Sequence, residues 1–219
     1  MKLQVSDISK TASAATIVFE ALRKAIIEGE LKDGSPLRQD EIAQMFNTSR
    51  IPVREAIGRL EQQGLVTTQR YKGAVVAGLS TDEAAEIFDF RALLEGAIIE
   101  QAVPRMSQQA IKAAKACLQE FSSSSNPMEW GRLNREFHYT LYQDSAKPYH
   151  LLIINNALDR VDRYLRAQLV LSDGMARANE EHRGIIEACE SGQAEAAAYL
   201  TRRHILGAKD TLLGVLNQK

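Results

Sequence analysis

Four histidines occur in the 219-residue chain, and three of them, His138, His182 and His204, fall where apolar patterning predicts long helices. In the stretch NREFHYTL, Asn134 and His138 are four residues apart, so both project from one helical face. His182 and His204 lie on the last two predicted helices, which the short break at Ser191-Gly192 makes antiparallel neighbours. Imidazoles from three helices plus one oxygen ligand, with positions left open for water or an anion, suit zinc, nickel or another first-row divalent ion. The plainer account is three unrelated histidines, each at a surface or hydrogen-bonded in a core, since the three are far apart in sequence.

A second set of chemistry-bearing residues is basic. LRQDEIAQMFNTSRIPVREAIGRLEQQGLV, residues 37–66, reads as a helix, a tight join and a second helix: Ile42, Ala43 and Phe46 recur at helical spacing, and after Asn47-Thr48 the stripe Val53, Ile57, Leu60 resumes. Ser49 stands where an N-cap belongs, and Pro52 falls in the first turn, where a missing N–H costs nothing. Arg50 and Arg54 then share the face opposite the buried stripe, near the leading end of the second helix. Guanidinium forks so placed suit bidentate reading of guanine in the major groove, and the helix N-terminus is open to a phosphate. Residues 65–69 and 74–77 read as two short strands around Arg70-Tyr71-Lys72-Gly73, a basic hairpin tip able to approach the phosphate backbone or the minor groove. The DNA-binding candidates are Arg38, Ser49, Arg50, Pro52, Arg54, Lys72 and Gly73. Taken singly, each is an ordinary surface residue; the agreement of cap, arginines and wing carries the reading.

These sets need elements to hold them. Ile17, Val18, Ala21, Leu22, Ala25 and Ile26 predict an amphipathic helix ending at Gly29, a buttress for the reading pair, followed by turn chemistry at residues 32–36. From Leu79 onward no strand pattern appears. Helices are expected at about 82–103, 107–122, 128–145, 148–171, 175–190 and 193–216, broken by Pro104, the serine run before Pro127, Lys147-Pro148, Ser172-Asp173-Gly174 and Ser191-Gly192. The fold class is mostly α: a winged helix-turn-helix over residues 13–78 after a polar tail of residues 1–12, then an antiparallel bundle of about six helices over residues 79–219.

The balance of 27 basic and 28 acidic residues gives a net charge of −1, which divides unevenly. Residues 1–78 carry 11 basic and 9 acidic side chains, residues 79–219 carry 16 and 19, so the halves are +2 and −3. Positive charge concentrates at residues 47–73, which hold five basic and two acidic groups, implying a small footprint. Cys117 and Cys189 are isolated, without CxxC spacing, which argues against a disulfide framework or a thiolate metal site and fits a reducing cytoplasm. No signal-like segment or long apolar run is present, so no membrane partner is expected.

Residues 13–78, above all SRIPVREAI with EIAQMF before it and EQQGLV after it, resemble the winged helix-turn-helix of GntR-family bacterial transcription regulators. The remainder is similar to the all-helical FCD-type ligand-binding domain of the FadR branch. The resemblance implies a repressor that binds an inverted-repeat operator as a homodimer. It also implies a metal held by an Asp-x-x-x-His helix and one histidine from each of two later helices, an order that His138, His182 and His204 match. This chain departs at position 134, where asparagine replaces the usual aspartate; its carbonyl can ligate but brings no charge. Arg91 in FDFRALLE matches an arginine that tends to face the cavity, and Arg163, with Arg166 less clearly, is a further candidate for binding a small organic acid effector. Arg91 with Glu95 reads equally as an intrahelical pair of little energetic value, and Arg163 as part of a solvated face. The competing function is a metal-dependent hydrolase carrying a nucleic-acid-binding module, against which stands the lack of an evident general base or of HExxH; the chain is expected not to be an enzyme.

Overall fold

The computed structural model describes residues 13–171 and 174–216, and these divide into two compact units at Gly78/Leu79. The tail of residues 1–12 lies outside the described residues.

In the first unit, α1 (Ala14–Ile27) begins at Ser13, whose hydroxyl accepts from the Thr16 N–H, and buries Val18, Phe19, Leu22 and Ile26. Against that stripe lie Val53, Ala56, Ile57 and Leu60 of α3 (Arg50–Gln62), and α2 (Gln39–Met45) adds Ile42 and Ala43. Arg59 stacks over the Phe19 ring at 3.9 Å, which ties α3 to α1 at the edge of this core. The sharp join of α2 to α3 is made at Asn47, in the left-handed region at φ 47°, which asparagine tolerates better than most residues. Strands β1 (Val66–Gln69) and β2 (Gly73–Val76) pair antiparallel from Val66 opposite Val76 to Gln69 opposite Gly73. Each strand is one residue off its expected span. The segment after α1 does more than turn: the Leu37 N–H donates to the Ala74 carbonyl and the Val76 N–H to the Ser35 carbonyl, so this stretch lies along β2 as a third rung of the wing.

The second unit is helical throughout its described residues: α4 (Thr81–Ala102), α5 (Gln108–Ser123), α6 (Pro127–Tyr142), α7 (Pro148–Leu171), α8 (Gly174–Glu190) and α9 (Ala194–Leu216). Serine caps start two of them, Ser80 accepting from Glu83 N–H and Ser107 from Ala110 N–H, and proline opens α6 and α7. The expected helix at 128–145 is shorter, because Gln143–Ser145 tightens into a 3-10 turn and Ala146 turns left-handed ahead of Pro148. Gly192, at φ 69°, makes the turn that sets α9 back against α8. α4 packs along α9, and α5 along α6. The core holds Phe88, Phe121, Phe137, Leu133, Leu141, Ile98, Ile99 and Ile185. Among the described residues no helix is long and apolar enough to cross a membrane.

Candidate functional site

In the bundle, α6, α8 and α9 bring His138, His182 and His204 together, with one candidate ligand atom from each lying within 4.8 Å of the others. All three are buried, and the rings meet one another at tilted or edge-on angles, with His138 and His182 also against Phe137; His182 stands 4.2 Å from Phe137 and 5.5 Å from Phe121 between ring centroids. Hydrogen bonding fixes two tautomers. The Tyr142 hydroxyl donates to Glu95 Oε2 at 2.9 Å, so its lone pair receives His138 Nδ1–H at 3.0 Å and the Nε2 lone pair of His138 is left for the interior. Glu181 Oε2 accepts from His204 Nδ1 at 2.7 Å, which leaves Nε2 of His204 in the same state.

The donor set fits a cation. His138 Nε2 is buried without a hydrogen-bond partner, a cost normally avoided, and an ion at this point would meet it. His182 Nε2 stands 3.3 Å from His204 Nε2. Two nitrogens bound to zinc at about 2.05 Å under a tetrahedral angle stand about 3.3 Å apart. Burial, then the neighbouring His204, holds the pKa of His138 and of His182 well below the ordinary imidazole range, so both are in the neutral form that ligates. The acceptors behind His138 and His204, Tyr142 on Glu95 and the Glu181 carboxylate, are the kind that orient metal-bound imidazoles. Cys189 offers no thiolate, since burial pushes its thiol up to about 12.

Arg91 is 3% exposed, and its Nε donates to Glu95 Oε1 at 2.7 Å, so the intrahelical pair that the spacing suggested is present and buried. Arg91 also lines a cavity of about 30 Å³ together with Asn134, Asp162, Arg177, Glu181 and His204. Asn134, half-buried, therefore faces the same space as His204. Arg163 and Arg166 belong to α7, but their side chains lie outside the described residues.

In the first unit the basic set is solvent-facing. Arg54 is exposed on α3, opposite the buried Val53, Ile57 and Leu60. Arg50, also exposed, is ion-paired to Asp40 of α2, and Arg38 to Glu41 at 2.9 Å. Ser49 occupies the N-cap position with extended backbone, but its side chain makes no capping bond, so the first-turn N–H groups of α3 are left to solvent or to a phosphate. Pro52 is half-buried in the first turn. Lys72 and Gly73 are exposed at the hairpin tip, where Tyr71 and Gly73 both take left-handed backbone.

Residues 14–76 match the profile of the bacterial regulatory proteins of the gntR family, and residues 86–207, more than half the chain, match that of the FCD domain. The chain belongs to the GntR family. Its FCD domain puts it in the FadR-like branch, and it is a DNA-binding transcriptional regulator rather than an enzyme. It is 28% identical over 196 residues, 86% of this chain and 84% of the relative, to the uncharacterized HTH-type transcriptional regulator YdhC of Bacillus subtilis. It is 32% identical over 152 residues, 68% of this chain and 62% of the relative, to the gluconate operon transcriptional repressor of the same organism. The crystal structure of a GntR family member from Pseudomonas syringae pv. tomato is 30% identical, covers 94% of this chain and 86% of its own, and superposes with a TM-score of 0.57.

Sequence reasoning on this regulator missed Tyr142 and Glu181. Tyr142 was findable, being four residues after His138 on the same helical face. Glu181 precedes His182 yet serves His204, a pairing that only the packing of α8 on α9 reveals.

Proposed function

We propose that this regulator is a repressor that reads an inverted-repeat operator as a homodimer, residues 13–78 contacting DNA and residues 79–219 sensing and dimerising, under control of a small carboxylate bound near a divalent ion. The reading takes Arg54, Arg50 and Arg38 with the α3 N-terminus to the major groove, and Lys72 with Gly73 to the backbone. His138, His182 and His204 would hold the ion, zinc or nickel, with the Asn134 carbonyl as the oxygen donor. When bound, the ion supplies positive charge and open positions that select an anion. Arg91, buried and facing the same cavity, supplies the second positive group for a carboxylate. Arg163 remains a candidate contact. Two relatives carry the word repressor with a sugar-acid or sugar operon in their names, which supports the repressor sense. A cytoplasmic location goes with the reading of an operator.

The observation that carries this reading is the pair of hydrogen bonds by which Tyr142 and Glu181 hold the Nδ1 atoms of His138 and His204, leaving their Nε2 lone pairs for the interior, where one candidate ligand atom from each of the three histidines lies within 4.8 Å of the others. The test is a thermal-shift screen of the full chain, as purified and after chelation, with zinc or nickel and a panel of metabolite acids, followed by operator binding. A ligand at about 100 times its Kd should add about 2.7 kcal/mol of stability. The stabilising acid should act only on metal-loaded protein and should change operator affinity. An acid that stabilises chelated and loaded protein alike would remove the ion from the effector's site.

A further inference from the structure

We propose that Glu95, anchored by Arg91, decides which nitrogen of His138 is presented to the interior, by setting the direction of a hydrogen-bond chain that runs from α4 to α6. The inference rests on the metal reading above and concerns how one of its imidazoles is kept ready to ligate. Arg91 Nε donates to Glu95 Oε1 at 2.7 Å, the Tyr142 hydroxyl donates to Glu95 Oε2 at 2.9 Å, and the same hydroxyl oxygen stands 3.0 Å from His138 Nδ1. All four residues are buried, Glu95 completely. His204 has a simpler arrangement. Glu181 meets its Nδ1 directly, and a carboxylate only accepts, so that nitrogen carries the proton. At His138 a hydroxyl intervenes, and a hydroxyl both donates and accepts. Its direction must therefore come from the next member of the chain. Glu95 supplies it: an ionised carboxylate has no proton to offer, so Tyr142 gives its single O–H to Oε2 and can only accept from Nδ1–H, which leaves Nε2 of His138 bare. Arg91, one turn away on α4, makes a charge at such depth tenable by pairing with it.

Direction and shape can be separated at this chain. Glu95→Gln keeps the outline of the side chain but reverses the order of donors. Arg91 Nε–H requires the amide oxygen on its side, so the NH2 group faces Tyr142 and donates to its oxygen. The hydroxyl is then left to give its proton to His138 Nδ1, and the imidazole carries its own on Nε2, the nitrogen that must be bare to ligate. Tyr142→Phe is the larger chemical loss, yet it imposes neither direction. A donor removed is a smaller obstacle here than a donor pointed the wrong way.

The test uses the full chain as wild type, Glu95→Gln, Tyr142→Phe and Glu95→Gln/Tyr142→Phe. Zinc affinity is measured by competition with a chromophoric chelator, and the tautomer of His138 in chelated protein by proton–nitrogen correlation NMR of the imidazoles. Wild type should show the proton on Nδ1 and Glu95→Gln on Nε2, with zinc bound ~10–100-fold more weakly by the variant. Tyr142→Phe should lose only a few-fold, and the double variant should return to its level. That rescue separates direction from a folding defect and from the lost carboxylate charge, since the double variant carries both changes; melting in chelator follows the fold. Glu95→Gln with the proton still on Nδ1, or a double variant no tighter than Glu95→Gln, overturns the inference and leaves the metal reading intact. A wild type that binds no zinc overturns both.

Discussion

The two units put their working side chains in opposite places. In the winged unit Arg38, Arg50, Arg54 and Lys72 stand in water over a core they do not enter, whereas in the bundle His138, His182, Arg91 and Glu95 are themselves interior residues. Function and stability are therefore separable in the first and joined in the second. An exposed arginine can be removed with the fold untouched, since surface substitutions change stability by about 0.5 kcal/mol or less. A buried imidazole cannot, because it both packs and leaves polar atoms that need partners.

The largest effect should come from His182→Ala. Removing a ring packed against Phe121 and Phe137 should cost ~2–5 kcal/mol of stability, as for other large-to-small core changes, and metal retention should fall at least ~100-fold. Unfolding by denaturant and metal content by mass spectrometry measure the two losses. A variant that kept its stability would show that the bundle, like the wing, merely carries its functional groups. Metal lost with effector affinity unchanged would show that the effector does not meet the ion.

Acid should reveal the same asymmetry. The pKa values of His138 and His182 are depressed in the fold by burial, and unfolding restores them toward 6.5. The unfolded chain then binds more protons below that value, so the stability these neutral imidazoles contribute is present above pH 6.5 and is lost as pH falls toward their folded pKa values. Each adds a slope of up to about 1.4 kcal/mol per pH unit in that window. Chelated wild type, melted from pH 7.5 to 5, should lose stability more steeply than a variant lacking His182. Parallel curves would mean that the histidines are solvated in the metal-free fold.

Arg54→Ala tests the separable half. It should cost ~1–3 kcal/mol of operator binding and narrow the gap between operator and scrambled DNA, with no change in melting temperature. Unchanged discrimination would move the reading surface off α3. Tight binding by a monomer, seen by sizing the complex, would break the two-fold arrangement instead.

How far each half was legible follows from the same contrast. The helix-turn-helix rests on local signals, the 3.6-residue stripes, the Asn47 turn and the glycine of the wing, and local signals are what a sequence carries; even so, the pairing of residues 35–37 with β2 is a long-range bond that turn chemistry at Pro36 concealed. Ser49 kept its cap position but not its capping bond. In the bundle the helices were readable from prolines and caps, and the meeting of His138, His182 and His204, suggested by their helical placement, was pointed to by a family pattern, since they sit on three different helices. Glu95 read as half of an intrahelical pair of little value because i,i+4 spacing says nothing of burial.

The smallest effect should be that of Lys72→Ala, and it sharpens the comparison within the winged unit itself. Lys72 is exposed beside Gly73 at the hairpin tip, and its backbone N–H is held by the Gln69 carbonyl, so the side chain can be lost without disturbing the turn. A lysine at a phosphate contributes through the counterion it releases, a term blind to sequence. Operator and scrambled DNA should therefore weaken by the same factor, and the slope of log affinity against log salt should drop by about 0.9 for each wing engaged. Titrations of both DNAs between low and physiological salt measure this. Should the factor differ between the two, the hairpin would be reading bases or groove width rather than charge, and recognition would be shared between wing and α3 rather than divided into positioning and specificity.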